Sequence, residues 1–271
     1  MSSFRSFYLP LDEKYYKLDE EEKTFFKKET GIQDDAALKE HMIAVQIKAF
    51  ALSRLYLRHL PAYEQLLKLG KERKDAILID LGCCFGTDIR QAVQDGYPVQ
   101  NTLSLDLHKS LWELGHELFR STPQSFSMSF IEGDILNTGF LSAVSTKDSP
   151  LANTAPFLGS ITSLNDLRSH VSAVYTGNFF HLFSETQQGQ IARGLAGLLS
   201  PDPGSMILGI HGGRPTNGFW APAGSDLKDI LPLTRKLEGG DSFFGMYPEN
   251  KDPYLPMEWS VTRLYCEEAG L

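Results

Sequence analysis

ILIDLGCCFGTD, residues 77–88, is the stretch that decides the fold of this 271-residue chain. Ile77, Leu78, Ile79 and Leu81 form a short apolar run of strand-favouring residues that closes at Gly82. A run that is apolar on both faces suits a parallel strand covered by helices. Beyond Gly86, the segment Thr87-Asp88-Ile89-Arg90-Gln91-Ala92-Val93 reads as a helix capped by Thr87 or Asp88. Strand, glycine turn and helix make the unit that seats a nucleotide-like ligand at the carboxyl edge of a sheet.

The turn itself chooses among ligands. A dinucleotide fingerprint needs G-x-G-x-x-G so that backbone can approach a pyrophosphate. Here the turn is Gly82-Cys83-Cys84-Phe85-Gly86, with Asp80 just ahead of it. An acid there repels a pyrophosphate and suits a ligand bearing an ammonium and a sulfonium. The pattern D-x-G-x-x-x-G resembles the first motif of class I S-adenosylmethionine (SAM) methyltransferases. The plain alternative is a buried strand with an ordinary glycine turn.

Composition narrows the class. With 42% hydrophobic and 22% charged residues the chain has the balance of a soluble globular protein, long enough for one domain with an appendage or two small ones. A net charge of −8 argues against nucleic acid as a partner, since a phosphate backbone wants a basic stripe. No apolar run is long enough to span a bilayer, and MSSFRSFYLPLDEKYY lacks the apolar stretch of a secretory signal, so a cytoplasmic location is expected. Cys83, Cys84 and Cys266 are too few and wrongly spaced for a metal site or a disulfide framework. The adjacent pair reads as small fillers of a buried turn.

Taken in order, residues 1–11 read as a loose arm and 12–28 as a helix with Tyr15, Leu18, Phe25 and Phe26 on one side. Gly31 ends it, a second helix starts at Asp34-Asp35, and a third stretch runs from Ala51 to about Lys68, interrupted near Pro61. Residues 1–75 thus form a helical N-terminal part ahead of a ligand-binding domain at 76–271. That part reads either as a packing layer or as a lid whose aromatics line an acceptor site. Under the lid reading, loss of residues 12–30 harms turnover more than cofactor binding.

After the glycine turn, residues 99–106 read as a second strand ending in Asp106, an acid placed for ribose hydroxyls. A helix over 110–120 leads to a third strand through Phe130-Ile131, followed by Asp134, which can accept an adenine amino group. Asp80, Asp106 and Asp134 therefore read as three acids in register at three strand ends. The run 145–156 reads as a surface loop, 171–176 as a fourth strand, 185–199 as a helix capped by Ser184, and 205–210 as a fifth strand. The order predicts an α/β fold, a doubly wound, mainly parallel sheet.

With these pieces in place the chain resembles the fungal SAM-dependent methyltransferases of meroterpenoid biosynthesis. The matching stretches are ETGI, LIDLGCCFGTDIRQAVQDGYP at 78–98, SLDLHKSLWELGHELFR at 104–120, FIEGDIL at 130–136, NFFHLFSETQQ at 178–188 and SPDPGSMILGIHGG at 200–213. EWSVTRLYCEEAG matches more weakly. The resemblance implies an O-methyltransferase that takes SAM and a terpenoid-like small molecule, works on a carboxyl or hydroxyl group, and assembles as a homodimer. By position, Asp106 and Leu107 would meet the ribose, and Gly133, Asp134 and Ile135 the adenine. Asp80, Gly82, Cys83 and Gly86 would hold the methionine end, and Asn178 would border the methyl donor.

A carboxylate acceptor is already ionised at neutral pH, whereas a hydroxyl wants a base. His181 is the candidate base, with a helix-start role as its plainer reading and His211 as a weaker second. At the other end, EWSVTRLYCEEAG resembles the last helix of such domains. The β-hairpin that normally completes the sheet then looks missing, leaving strand five an uncovered apolar edge. That expectation motivates an alternative, a catalytically weak SAM-binding scaffold. A nicotinamide-dependent oxidoreductase on the same topology is disfavoured by Asp80 and by the Gly82–Gly86 spacing.

Overall fold

The computed structural model describes residues 16–49, 53–143, 155–213, 218–220, 231–233 and 255–264. The arm at 1–11, Tyr15, Cys266 and most of the run 145–156 lie outside the described residues.

Strand β1 (Ile77–Leu81) sits inside the sheet with all five residues buried. Alternation along the strand divides them. Ile77, Ile79 and Leu81 face an apolar layer that includes Ile191, Leu195 and Leu198. Leu78 faces another, which includes Leu66, Ile89 and Ala92. The first layer is carried by a helix over Glu185–Leu198, the second by helices over Tyr63–Glu72 and Thr87–Gln94. Complete burial of each branched side chain favours the folded state by about 1.5–3 kcal/mol, which is why this apolar run sits inside a covered sheet.

In chain order the helices are α1 (Glu20–Thr30), α2 (Asp35–Ala49), α3 (Tyr63–Glu72), α4 (Thr87–Gln94), α5 (Lys109–Leu118) and α6 (Glu185–Leu198). The strands after β1 are β2 (Thr102–Asp106), β3 (Ser129–Glu132), β4 (Val171–Gly177), β5 (Met206–Gly213), β6 (Gly218–Trp220), β7 (Leu231–Leu233) and β8 (Leu255–Thr262). Six strands form one sheet in the order β3-β2-β1-β4-β5-β8, and β6 pairs with β7 separately. β1 to β5 are mutually parallel and β8 is antiparallel to β5. The doubly wound, mainly parallel sheet is the predicted one. Strand order reverses between β1 and β4, the point at which a sheet of this kind forms a crevice outside its carboxyl ends.

The carboxyl-terminal expectation does not hold. Strand β5 is not an uncovered edge: β8 pairs with it from Met206↔Thr262 to Gly213↔Leu255. Leu255–Thr262, whose residues from Glu258 onward read as part of a last helix, is a strand because Trp259, Val261 and Thr262 favour extended backbone and an apolar parallel strand offers its free edge. Trp259 packs on the core layer that α6 covers.

At the other end α1 starts later than predicted, at a reciprocal capping box in which Asp19 and Glu22 exchange side-chain and backbone bonds. Its aromatics are core: Phe25 and Phe26 are buried with Phe85, Leu118 and Phe119, and Phe26 stacks on Phe119 with ring centroids 5.8 Å apart. The second strand is shorter than predicted because Val99–Asn101 form a 3-10 turn after Pro98.

Candidate functional site

The turn after β1 is bent by three left-handed residues, Gly82 (φ 73°), Cys84 (φ 50°) and Gly86 (φ 71°). A Cβ on Gly82 would meet the Phe179 ring at 2.5 Å, and one on Gly86 would meet Trp112 at the same distance. Helix α5 lies against the turn so closely that a Cβ on Gly115 would come 2.2 Å from the Phe85 carbonyl oxygen. Gly86, rather than Thr87 or Asp88, is the residue that starts α4.

The amides of the turn point away from any ligand. Gly82 and Cys83 both donate to the Leu105 carbonyl oxygen, at 2.9 and 3.0 Å. Cys84 donates to Oδ2 of Asp106 at 3.0 Å. An anion-binding loop keeps such amides free. This one spends them on β2 and sets acids around itself, so it is no cradle for a pyrophosphate.

Asp80 and Asp106 flank the turn. Asp80 is 3% exposed, and burial raises its carboxyl well above the usual range, with Asp88 and Asp106 adding to the rise. Asp106 is 9% exposed, and its second oxygen accepts from the His108 amide at 3.0 Å. Leu107, just beyond, is exposed. Cys83 is buried and Cys84 half-buried, both free. Burial pushes the Cys84 thiol up to about 12 and raises the Cys83 thiol well above its ordinary value, so neither is a nucleophile at neutral pH.

The acids are not in the predicted register. Asp80 pairs with Ser104, and Asp106 pairs with Glu132. β3 ends at Glu132, so the acid level with Asp106 is Glu132, whose Oε1 accepts from the Lys109 amide at the start of α5, at 3.1 Å. Asp134 lies two residues further on, exposed, with Oδ1 accepting from the Leu136 amide at 2.9 Å. Gly133 joins the group through its amide bond to the Asp106 carbonyl at 3.1 Å, and Ile135 is buried in the core.

On the other side of the crevice, Asn178 follows β4 in a left-handed conformation (φ 50°), its amide bonded to the Ile210 carbonyl. His181 lies in the next turn, Phe180–Leu182, close to His211. Its Nδ1 is buried without a hydrogen-bond partner, and burial, reinforced by His211, lowers its pKa to about 4. Burial also lowers His211, whose Nδ1 accepts from the Trp259 indole at 3.2 Å. Both imidazoles are therefore neutral at pH 7.

Sequence reasoning took Asp88 only as a helix cap and passed over Tyr175 and Gly115 as site residues. Asp88 is half-buried, its Oδ1 accepting from the Tyr56 and Leu57 amides and its Oδ2 from the Tyr175 hydroxyl at 2.7 Å. Burial raises it to about 6 against the bonds that favour its charge. An acid in the first turn of a helix is ordinary, and only its distant partners set it apart. Gly115, inside a helix of otherwise large residues, was the readable signal for a close approach. Among the described residues no group of three or more His, Cys, Asp or Glu could hold a metal, and no helix is long and apolar enough to cross a membrane.

Residues 12–55 match the family model of the meroterpenoid methyltransferase N-terminal domain. Beyond that stretch the chain is similar to curated methyltransferases of fungi. It is 30% identical to the O-methyltransferase atr3 of Stereocaulon alpinum over 217 residues, covering 74% of this chain and 56% of the relative. It is 32% identical to the asnovolin E/chermesin D methyltransferase nvfJ of Aspergillus novofumigatus over 163 residues, 60% of this chain and 50% of the relative. With the methyltransferase adrK of Penicillium rubens it shares 29% identity over 202 residues, 71% and 64% of the two chains. The chain spans about half the length of the first of the curated relatives it matches. Among solved structures, an S-adenosylmethionine dependent methyltransferase from Mesorhizobium loti matches 77% of this chain and 100% of its own at a TM-score of 0.40 and 14% identity, too loose a likeness to build on.

Proposed function

We propose that the chain is a SAM-dependent O-methyltransferase acting on a carboxyl or hydroxyl group of a terpenoid or meroterpenoid small molecule in fungal secondary metabolism. The observation that carries this reading is the acid-flanked turn whose amides at 82–84 are bonded to β2 and Asp106. Such a turn suits a cationic ligand, and the relatives' names specify methyl transfer. When bound, SAM supplies a methyl group on a positively charged sulfur.

The residues present fit that cofactor. Asp106 keeps lone pairs for ribose hydroxyls beside exposed Leu107. Gly133, Asp134 and Ile135 border the adenine end, with Asp134 as the acceptor. Gly82, Cys83 and Gly86 take the methionine end, where a bulkier turn would meet Phe179 and Trp112. Asp80 beneath them gains a counter-charge when a cation arrives, which offsets its desolvation and favours its ionised form. Asn178 borders the methyl.

A carboxylate acceptor fits the chemistry of this chain better than an alcohol. It needs no base, and alignment and desolvation supply the rate. His181, with a pKa of about 4, is a weak base for an alcohol and a neutral hydrogen-bonding group for a carboxyl. The scaffold alternative has lost its motive, since β8 covers β5. Homodimer assembly and a cytoplasmic place belong to the same proposal, and light scattering tests the first.

Calorimetric titration with SAM, followed by transfer of labelled methyl to paired terpenoid acids and alcohols, tests the whole. We expect binding and esterification of an acid, with alcohols inert. Failure to bind SAM would sink the reading, and methylation of alcohols alone would reassign the acceptor and return His181 to the role of base.

A further inference from the structure

The N-terminal helices are tied to the glycine turn through one short connection. Residues 53–56 form neither helix nor strand, and the 3-10 turn Leu57–His59 follows them. Three consecutive amides of this connection go to two carboxylates, Glu22 fully buried and Asp88 half-buried. Leu55 donates to Oε1 of Glu22 at 3.2 Å, while Tyr56 and Leu57 donate to Oδ1 of Asp88 at 2.8 and 2.9 Å. Arg54 Nε also donates to Oε1 of Glu22 at 2.7 Å, and the Ser53 and Thr87 hydroxyls are hydrogen-bonded to each other.

Both anchors are firmly placed. Glu22 is fully buried and closes the capping box of α1. Asp88 stands in the first turn of α4, two residues past Gly86, and its other oxygen holds Tyr175 near the end of β4. Amide bonds to a carboxylate are the strong class, and removing the charge at either end weakens the hold on these donors. The bridge therefore hangs between α1 and the helix that opens the cofactor turn. Beside it lies Asp80, on which the Asp88 charge acts directly.

We propose that Asp88 is a positioning residue for the cofactor: with Glu22 it fastens residues 53–57 across the first turn of α4, so that the N-terminal helices build the methionine end of the site instead of serving only as a cover. This rests on the SAM reading above and assigns part of that site to the N-terminal residues.

The test uses the full 271-residue chain and SAM itself. D88N and E22Q keep side-chain volume while removing the charge that collects the amides. Each should weaken SAM binding about tenfold, and the double variant by no more than about thirtyfold, because either change frees the same bridge. Amide exchange at Leu55, Tyr56 and Leu57 should slow when SAM binds the wild type and not when it binds D88N. R73A is the control for mere destabilisation. Arg73 clips Ser205 and the Pro203 carbonyl at the opposite edge of the sheet, at 3.0 and 2.7 Å. It should lower the unfolding midpoint and leave SAM affinity within about twofold.

A folded D88N or E22Q with wild-type affinity would overturn the proposal, as would losses that multiply independently in the double variant. Should D88N fail to fold, E22Q and the wild-type exchange response decide between the same outcomes. If the wild type binds SAM and the variants bind equally well, the proposal alone falls. If the wild type does not bind, the SAM reading falls and takes this with it.

Discussion

Asp106→Ala separates the two tasks that one carboxylate performs. Inside the protein, Asp106 holds the Cys84 amide at 3.0 Å and so keeps a left-handed residue of the turn in place. Its other amide partner, His108, is exposed, so water replaces that bond in the variant. The half-buried Cys84 amide has no such replacement, and stranding it should cost about 1–3 kcal/mol of stability. Toward the ligand, the loss of charge-assisted bonds to ribose hydroxyls should weaken SAM by a further 1.5–3 kcal/mol or so, roughly 10- to 150-fold in Kd. Urea unfolding followed by tryptophan fluorescence gives the first quantity. Calorimetric titration at a temperature where the variant is fully folded gives the second. A folded variant that binds SAM within about twofold of the wild type would refute the placement of the ribose at the end of β2.

Gly86→Ala forces a side chain into a left-handed conformation and against Trp112, so a stability loss of about 2–4 kcal/mol and impaired SAM binding are expected by thermal unfolding and titration. His181→Gln tests the burial of a neutral imidazole. Because its folded pKa, about 4, lies below that of the free side chain, the unfolded state takes up a proton that the folded state refuses. Its stability contribution is present above about pH 6.5 and falls as pH drops, by about 2–3 kcal/mol at pH 4.5, so urea unfolding of the Gln variant should show that much less acid sensitivity. Phe26→Ala empties a fully buried site stacked on Phe119 and should cost about 3–5 kcal/mol, measured by urea unfolding at pH 7.

The central unit was legible because its signals are local. Ile77–Leu81 is an apolar strand on both faces whatever its neighbours, and Gly82 and Gly86 stand where backbone with positive φ requires them. Asp106 was legible for the same reason, as the last residue of a strand. The level of the third acid was not: whether Glu132 or Asp134 lies opposite Asp106 depends on pairing between β2 and β3, which no single strand encodes. The stretch from Glu258 read as helical through its resemblance to a last helix, whereas the open edge of β5 decided the form of Leu255–Thr262. Asp88 read as a helix cap. Its partners, the amides of Tyr56 and Leu57, lie some thirty residues away, and local propensity carries no trace of them.

The pairing of β8 with β5 also sets an order of events during synthesis. About forty residues separate Gly213 from Leu255, and a ribosome adding roughly 5–20 residues per second needs about 2–8 s to deliver them. Through that interval the nascent chain already has β5 and does not yet have the strand that caps it. An apolar parallel strand left open for seconds is a template for intermolecular pairing. Yield should therefore respond to translation speed and to chaperones that mask strand edges, even where the finished protein is stable. Slow codons placed between positions 213 and 255 would lengthen the exposure, and pulse-labelled chains should then partition further toward aggregates.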